Sequence, residues 1–206
     1  MNRNIGVLIS GRGSNLQAVI DAIRSGTLDA RIAVVISNRA DAQGLMRAQQ
    51  AGIETLCLGH RGYPTREAYD EALVRELKSR AVRLVCLAGF MRLLSPVFVD
   101  AYPHAILNIH PALLPAFPGL HGQQQAWDWG AKVTGATVHI VTAALDAGPI
   151  ILQAPVPVEE DDTPDTLAAR ILVEEHRIYP EAIKIVLDGG WQIVGRRFLR
   201  RPAAQA

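Results

Sequence analysis

From Asn4 to Phe90 the chain repeats one pattern: a short continuous apolar run, a turn, then an amphipathic stretch of helical period. The apolar runs are "NIGVLIS", "ARIAVVIS", "IETLCLG" and "RLVCLAGF". Between them lie "SNLQAVIDAIRSG", "DAQGLMRAQQAG" and "TREAYDEALVRELKSRA". Continuous apolar strands need cover on both faces, and strands alternating with helices run parallel. The pattern therefore predicts a doubly wound α/β architecture, which takes its ligands outside the carboxyl ends of the strands.

After Phe90 the order changes. "SPVFVDAY" begins with a Ser-Pro helix start. It leads to a strand in "AILNI", a loop restrained by Pro111, Pro115 and Pro118, and a helix in "QQQAWDWG". Two strands, "GATVHIVT" and "PIILQAPVPV", flank the turn-rich "AALDAG". A long helix follows from Thr163, a suitable N-cap, with Pro180 expected to kink or break it. "GWQIVGRRFL" suggests a small hairpin. With 206 residues and no repeat or long linker, the chain reads as one domain. It comprises an α/β half over 1–100, a mixed half over 101–190 and a tail over 191–206.

The 21 basic and 20 acidic residues nearly cancel, giving no field suited to nucleic acid or a membrane surface. The one basic cluster, "GRRFLRR" from Gly195 to Arg201, reads as a solvated tail. No run reaches the ~18 apolar residues that span a bilayer, and the first apolar run has no basic leader, so a cytoplasmic location is expected. Cys57 and Cys86 lie in apolar runs and read as small packed hydrophobes, without disulfide or metal spacing. The histidines form no metal motif, so no metal is expected. His60, His104 and His176 read as structural or solvated, whereas His121 and His139 lie nearer the polar features that follow.

Three short stretches carry chemistry. In "SGRGSNL", Gly11 and Gly13 allow a tight turn whose N–H groups can approach an anion, and Ser14 and Asn15 open the next helix with its partial positive charge. Leu16 replaces the third glycine of a dinucleotide fingerprint and the Gly-Lys-Ser/Thr ending of a P-loop is missing, so a monophosphate fits better. In "ILNIHP", Asn108 and His110 are two apart on a strand and share a face. An amide that donates to an oxyanion and an imidazole that exchanges protons suit attack on a carbonyl. In "LDAGPI", Asp146 either caps a turn or presents a carboxylate able to orient a histidine.

Five ordered blocks, "LISGRGSNLQAVIDA", "LAGFMRLLSP", "LNIHPALLPAFPGLHG", "TVHIVTAALDAGPIILQ" and "EEHRIYPEAI", resemble the folate-dependent phosphoribosylglycinamide formyltransferases of purine biosynthesis. The resemblance implies a Rossmann-like formyltransferase fold and formyl transfer from 10-formyltetrahydrofolate to the amine of glycinamide ribonucleotide. It implies Asn108, His110 and Asp146 as the catalytic trio. Gly11, Arg12, Gly13, Ser14 and Asn15 would hold the nucleotide phosphate, and Glu175 the ribose. The folate would lie along Met91, Arg92, Leu93, Leu94 and Asn108, with Arg66 near its tail and Thr142, Ala143, Ala144, Leu145 and Asp146 around the pterin. The expected partners are these two small molecules, with no nucleic acid or membrane, and the chain is expected as a monomer or homodimer.

Residue chemistry leaves simpler uses open. Arg66 at a helix start is either a solvated charge or a partner for a glutamate-tail carboxylate. The "FMRLL" aliphatics serve as a wall for a flat ring or as core, and Glu175 as a contact or a surface charge. Ala116 and Thr134 depart from the lysine and histidine common in relatives, which bears on peripheral contacts. In the expected reaction the amine attacks the formyl carbon directly, Asn108 and protonated His110 hold the oxyanion, and Asp146 orients His110 and helps move a proton through water. A formyltetrahydrofolate hydrolase would be expected to carry an N-terminal regulatory domain, and a methionyl-tRNA formyltransferase a further C-terminal domain and a basic RNA surface. A noncatalytic phosphosugar-binding module would leave the trio without a purpose.

Overall fold

A computed structural model describes residues 2–200. The first half follows the alternating pattern: β1 (Asn4–Ile9), α1 (Ser14–Arg24), β2 (Arg31–Ser37), α2 (Gln43–Gln50), β3 (Thr55–Cys57), α3 (Arg66–Ser79) and β4 (Leu84–Leu87). Then come α4 (Pro96–Ala101), β5 (Ile106–His110), α5 (Gly122–Asp128), β6 (Val133–Ile140), β7 (Ile150–Pro157), α6 (Pro164–Asp188), β8 (Trp191–Val194) and β9 (Arg197–Arg200). The strands form one sheet in the order β3-β2-β1-β4-β5-β6-β7-β9-β8.

The strands from β3 to β5 are parallel, β6 runs against β5 and β7, and β9 is parallel to β7. This is the expected α/β fold with a mixed second half. Chain order reverses between β1 and β4, because β2 and β3 are added on one side and β4 and β5 on the other. Loops leaving β1 and β4 therefore diverge to opposite faces and open a crevice at their carboxyl ends.

Period-two alternation divides the core between the faces. Val7, Ile9, Cys86 and Leu107 pack with α1 and α6, while Leu8, Val34 and Ile36 pack with Tyr69, Leu73 and Phe98 from α3 and α4. Helix α6 closes the first face and ties it to the crevice: buried Tyr179 donates from its hydroxyl to the Leu87 carbonyl at 2.8 Å. Thr163 and Thr166 form a capping box at its start.

Three expectations are corrected. Pro180 does not break its helix, which runs without interruption from Pro164 to Asp188. It removes one N–H bond, but buried Ile178, Tyr179, Ala182 and Ile183 on either side keep the helix packed against the sheet. Cys57 is exposed because it ends the three-residue edge strand β3, whereas Cys86 is buried as expected. The basic terminal stretch is no free tail as far as Arg200, although Arg196, Arg197 and Arg200 are exposed: the expected hairpin forms, β9 pairing with β8 and joining β7, and Trp191 stacks on Phe198 at 5.2 Å. Arg201 lies outside the described residues. Among the described residues no helix is long and apolar enough to cross a membrane.

The central β6–β7 pair permits no side chain at Gly135, where an added Cβ would stand 1.9 Å from the Ala154 carbonyl oxygen. Gly135→Ala is expected to destabilise the fold by about 3 kcal/mol through this overpacking, measured by urea unfolding.

Candidate active site

The turn after β1 is built by close backbone approach. Gly13 takes φ 72° as N-cap of α1, and a Cβ there would lie 2.6 Å from the Gly44 Cα. The Gly11 carbonyl accepts from Gly44 N–H at 3.1 Å, and the Arg12 carbonyl accepts from Arg47 Nε at 3.0 Å. Both loop carbonyls are thus turned towards α2. The first N–H groups of α1, which no side chain caps at Gly13, form an amino end suited to an anion.

Asn15 and Glu175 meet beside that turn although 160 residues separate them: Asn15 Nδ2 donates to Glu175 Oε2 at 2.7 Å. Glu175 is buried rather than on the surface. Burial raises its pKa above the ordinary value, and the Asn15 hydrogen bond offsets only part of that. The Asn15 Oδ1 atom is also buried, without a partner among the described residues. The β1 turn connects directly to the loop after β4: Ser10 N–H donates to the Gly89 carbonyl at 3.1 Å and the Met91 N–H donates to Ser10 Oγ at 2.9 Å.

The structure brings the expected trio together. Asn108 stands opposite His139 in the β5–β6 ladder, so the two share a face, and Asn108 Nδ2 lies 3.2 Å from His139 Nε2. Asp146 reaches the same place from the β6–β7 loop. Its Oδ2 lies 3.5 Å from His110 Nδ1 and accepts from Gly119 N–H at 2.8 Å, and its Oδ1 lies 3.6 Å from His139 Nε2. The other His110 nitrogen, Nε2, donates to the Phe117 carbonyl at 2.8 Å. A carbonyl can only accept, so the proton of neutral His110 is on Nε2 and Nδ1 faces the carboxylate.

The electrostatics follow from burial and neighbours. Burial pulls the His110 pKa below its ordinary 6.5, against the Phe117 hydrogen bond and the Asp146 charge, which favour the proton. Asp146 is pushed up by burial, but His139, the Gly119 N–H and His110 together outweigh it and hold the carboxyl below its ordinary 3.8. At neutral pH the pair in the free protein is therefore an ionised carboxylate facing a neutral imidazole.

Thr137, opposite His110 in the ladder, fixes the proline-rich loop: its hydroxyl donates to the Ala112 carbonyl at 2.6 Å and accepts from Leu114 N–H at 3.1 Å. Of the expected folate-side residues, Met91 and Leu93 are more than half exposed despite being large and apolar, as is Leu145 beside Asp146. Arg92 lies over the Tyr69 ring at 5.2 Å, and buried Asp70 accepts from Ser95 N–H, which locks the loop after β4 to α3. Arg66 opens α3 at the solvent edge with a 3.6 Å ion pair to Glu67. Thr142 donates to the Ala144 carbonyl at 3.3 Å within its own loop. Ala116 is exposed, and Thr134 is buried within β6. Among the described residues no group of three or more His, Cys, Asp or Glu could hold a metal ion.

Sequence reasoning missed Thr137, Gly119 and the Phe117 carbonyl. Thr137 could have been found, since it stands two residues before His139 on a strand and so shares its face. The other two contribute backbone atoms, which no side-chain pattern reveals.

An open sheet with a glycine turn, a buried acid and an Asn-His-Asp cluster at the carboxyl ends of its strands defines an α/β enzyme of the doubly wound class. The chain belongs to the formyl transferase family, whose model matches residues 3–183. It is similar to "Phosphoribosylglycinamide formyltransferase" of Escherichia coli (strain K12), with 52% identity over 90% of this chain and 88% of that protein. It is 47% identical, over 92% of its length, to 19% of the longer human "Trifunctional purine biosynthetic protein adenosine-3". The crystal structure of glycinamide ribonucleotide transformylase 1 from Symbiobacterium toebii superposes with a TM-score of 0.95 at 56% identity, covering 97% of this chain and 94% of that one.

Because Asp146 raises the affinity of His110 for its proton, Asp146→Asn is expected to lower the His110 titration midpoint further below 6.5. An NMR titration of the imidazole resonances measures this directly.

Proposed function

We propose that the chain transfers the formyl group of 10-formyltetrahydrofolate to the amine of glycinamide ribonucleotide, by direct attack through a tetrahedral intermediate. The observation that carries this reading is the convergence of Asn108, His110 and Asp146, from strand and loop, at the crevice that also holds the glycine turn. Similarity to named phosphoribosylglycinamide formyltransferases over nine-tenths of the chain supports the same chemistry.

In this reading the amino end of α1, with Gly11, Arg12, Gly13, Ser14 and Asn15, takes the nucleotide phosphate. Glu175, buried and tied to Asn15, holds the ribose hydroxyls. Exposed Met91, Leu93 and Leu145 fit the flat heterocycle of a folate, with Arg92, Leu94 and the 142–146 loop completing its rim. Arg66 at the solvent edge suits the glutamate tail.

The formyl-folate supplies an activated one-carbon carbonyl; the protein supplies position, charge and proton transfer. Asn108 Nδ2 and His110 Nε2 donate to the oxyanion as it develops, the latter exchanging its bond with the Phe117 carbonyl. His110 enters neutral and accepts the proton released by the attacking amine at Nδ1, through water. The resulting imidazolium faces the Asp146 carboxylate, and the same proton passes to the departing folate nitrogen as the intermediate collapses. Protonated His110 thus arises during turnover, with no net gain or loss of protons by the enzyme. Holding both substrates in attack geometry contributes ~7–11 kcal/mol in such reactions, more than any one oxyanion donor at ~3–4 kcal/mol. The crevice can be served by a monomer or a homodimer.

Purified protein given 10-formyltetrahydrofolate is expected to release tetrahydrofolate only when glycinamide ribonucleotide is present. Release without the acceptor would indicate a hydrolase, and no release from folded protein in either case would overturn the enzyme reading. Asp146→Asn is expected to bind both substrates within a few-fold of the parent while kcat falls about a thousandfold. Steady-state kinetics and calorimetric binding read the two effects separately.

A further inference from the structure

Asp146 sits in an unfavourable place for a residue that must be well aimed. It is a non-glycine residue at φ 47°, in the left-handed region, within the loop between β6 and β7. Its carboxylate is held from a second loop, through Gly119 N–H. The base of its own loop is closed by Ile140 N–H donating to the Pro149 carbonyl at 2.9 Å. The carbonyl next to Asp146, that of Ala147, is taken by the Arg196 guanidinium at 2.6 Å.

Arg196 lies in the turn between β8 and β9, and that hairpin is well mounted. Arg197 pairs with Ile150 at the start of β7, Trp191 stacks on Phe198, and Trp191 Nε1 donates to the Val186 carbonyl of α6 at 3.1 Å. Between hairpin and loop lies a cavity of about 700 Å³, with Asp146, Gly148 and Ile150 on one wall and Arg196, Arg197 and Phe198 on the other. The loop has this open space behind it, and the Arg196 hydrogen bond spans it.

We infer that Arg196 is a positioning residue for Asp146, and that the terminal hairpin is the rigid mount from which it acts. This rests on the roles proposed above for Asp146 and His110. The guanidinium makes a charge-assisted bond to the carbonyl of Ala147, the residue after Asp146, which holds the left-handed turn and so the distance from carboxylate to imidazole. The titratable groups facing His110 are Asp146, which favours its proton, and His139, which disfavours it from the ladder of β6 and stays in place.

The test compares the full chain with Arg196→Ala, Arg196→Lys, Arg197→Ala and Asp146→Asn, each checked for folding by thermal melting. Arg196→Ala is expected to lower kcat about tenfold, the effect of one charge-assisted hydrogen bond, with KM for glycinamide ribonucleotide unchanged within twofold. The acid limb of its pH–rate profile should move to lower pH, because a drifting carboxylate no longer supports the His110 proton. Loss of a cation acting through its field alone would move that limb to higher pH, so the direction separates the two causes. Arg196→Lys, which keeps a charged donor, should recover part of the turnover, and Arg197→Ala should match the parent. Parental kcat in Arg196→Ala, or a reduced kcat with the limb unmoved or moved upward, would overturn the inference. If the parent is inactive or Asp146→Asn fully active, the functional reading fails and takes the inference with it. A silent Arg196→Ala beside an active parent and a crippled Asp146→Asn removes the inference alone.

Discussion

The Asp146 carboxylate joins parts of the chain that share no local sequence. It accepts from the backbone of the proline-rich loop and faces one histidine on β5 and another on β6. Burial alone would raise its pKa, and these contacts outweigh burial and hold the carboxyl below its ordinary value. The carboxylate and its neighbours are therefore mutually dependent. Without the imidazoles and the Gly119 N–H the charge would be costly, and without the charge the His110 imidazolium would have no counter-ion.

This dependence explains why the second half departs from the parallel pattern. An antiparallel neighbour sets residues directly opposite one another on the same face. Reversing β6 against β5 thus puts His139 across from Asn108 and Thr137 across from His110. Asn108 with His139 and His110 with Thr137 occupy alternate rungs of one ladder, on the same face, with Ile109 and Val138 between them. Because β7 in turn runs against β6, the short loop between them returns Asp146 to the end of the ladder where Asn108 and His110 stand.

Much of this was legible in the chain. Apolar runs separated by amphipathic stretches determine the parallel half because strands buried on both faces tolerate few polar residues. Asn108 and His110 stood out because they break such a run. Glu175 was harder to place: one carboxylate on a helix resembles a surface charge until the fold sets that turn of α6 against Asn15. Cys57 misled because an apolar neighbourhood in sequence does not reveal that a strand is short and lies at the sheet edge. Pro180 did not break its helix because a proline's local cost can be outweighed by tertiary packing. The terminal hairpin was legible in "GWQIVGRRFL": its arginines are exposed as charge suggests, while Trp191, Ile193 and Phe198 give it a face to pack.

The state of His110 shows why a residue's type does not define its function. An imidazole in water is poised near neutrality, but burial pulls the proton affinity of this one down, and the Phe117 carbonyl and a carboxylate 3.5 Å away push back against that pull. The position of that carboxylate depends on a left-handed backbone turn, itself tied to a hairpin at the far edge of the sheet. Proton affinity at the reacting centre is in this way linked to the packing of Trp191 and Phe198, which touch neither substrate in the proposed reaction. A change in the hairpin would act on the chemistry through a distance between two side chains, leaving the binding surfaces for phosphate and folate as they are.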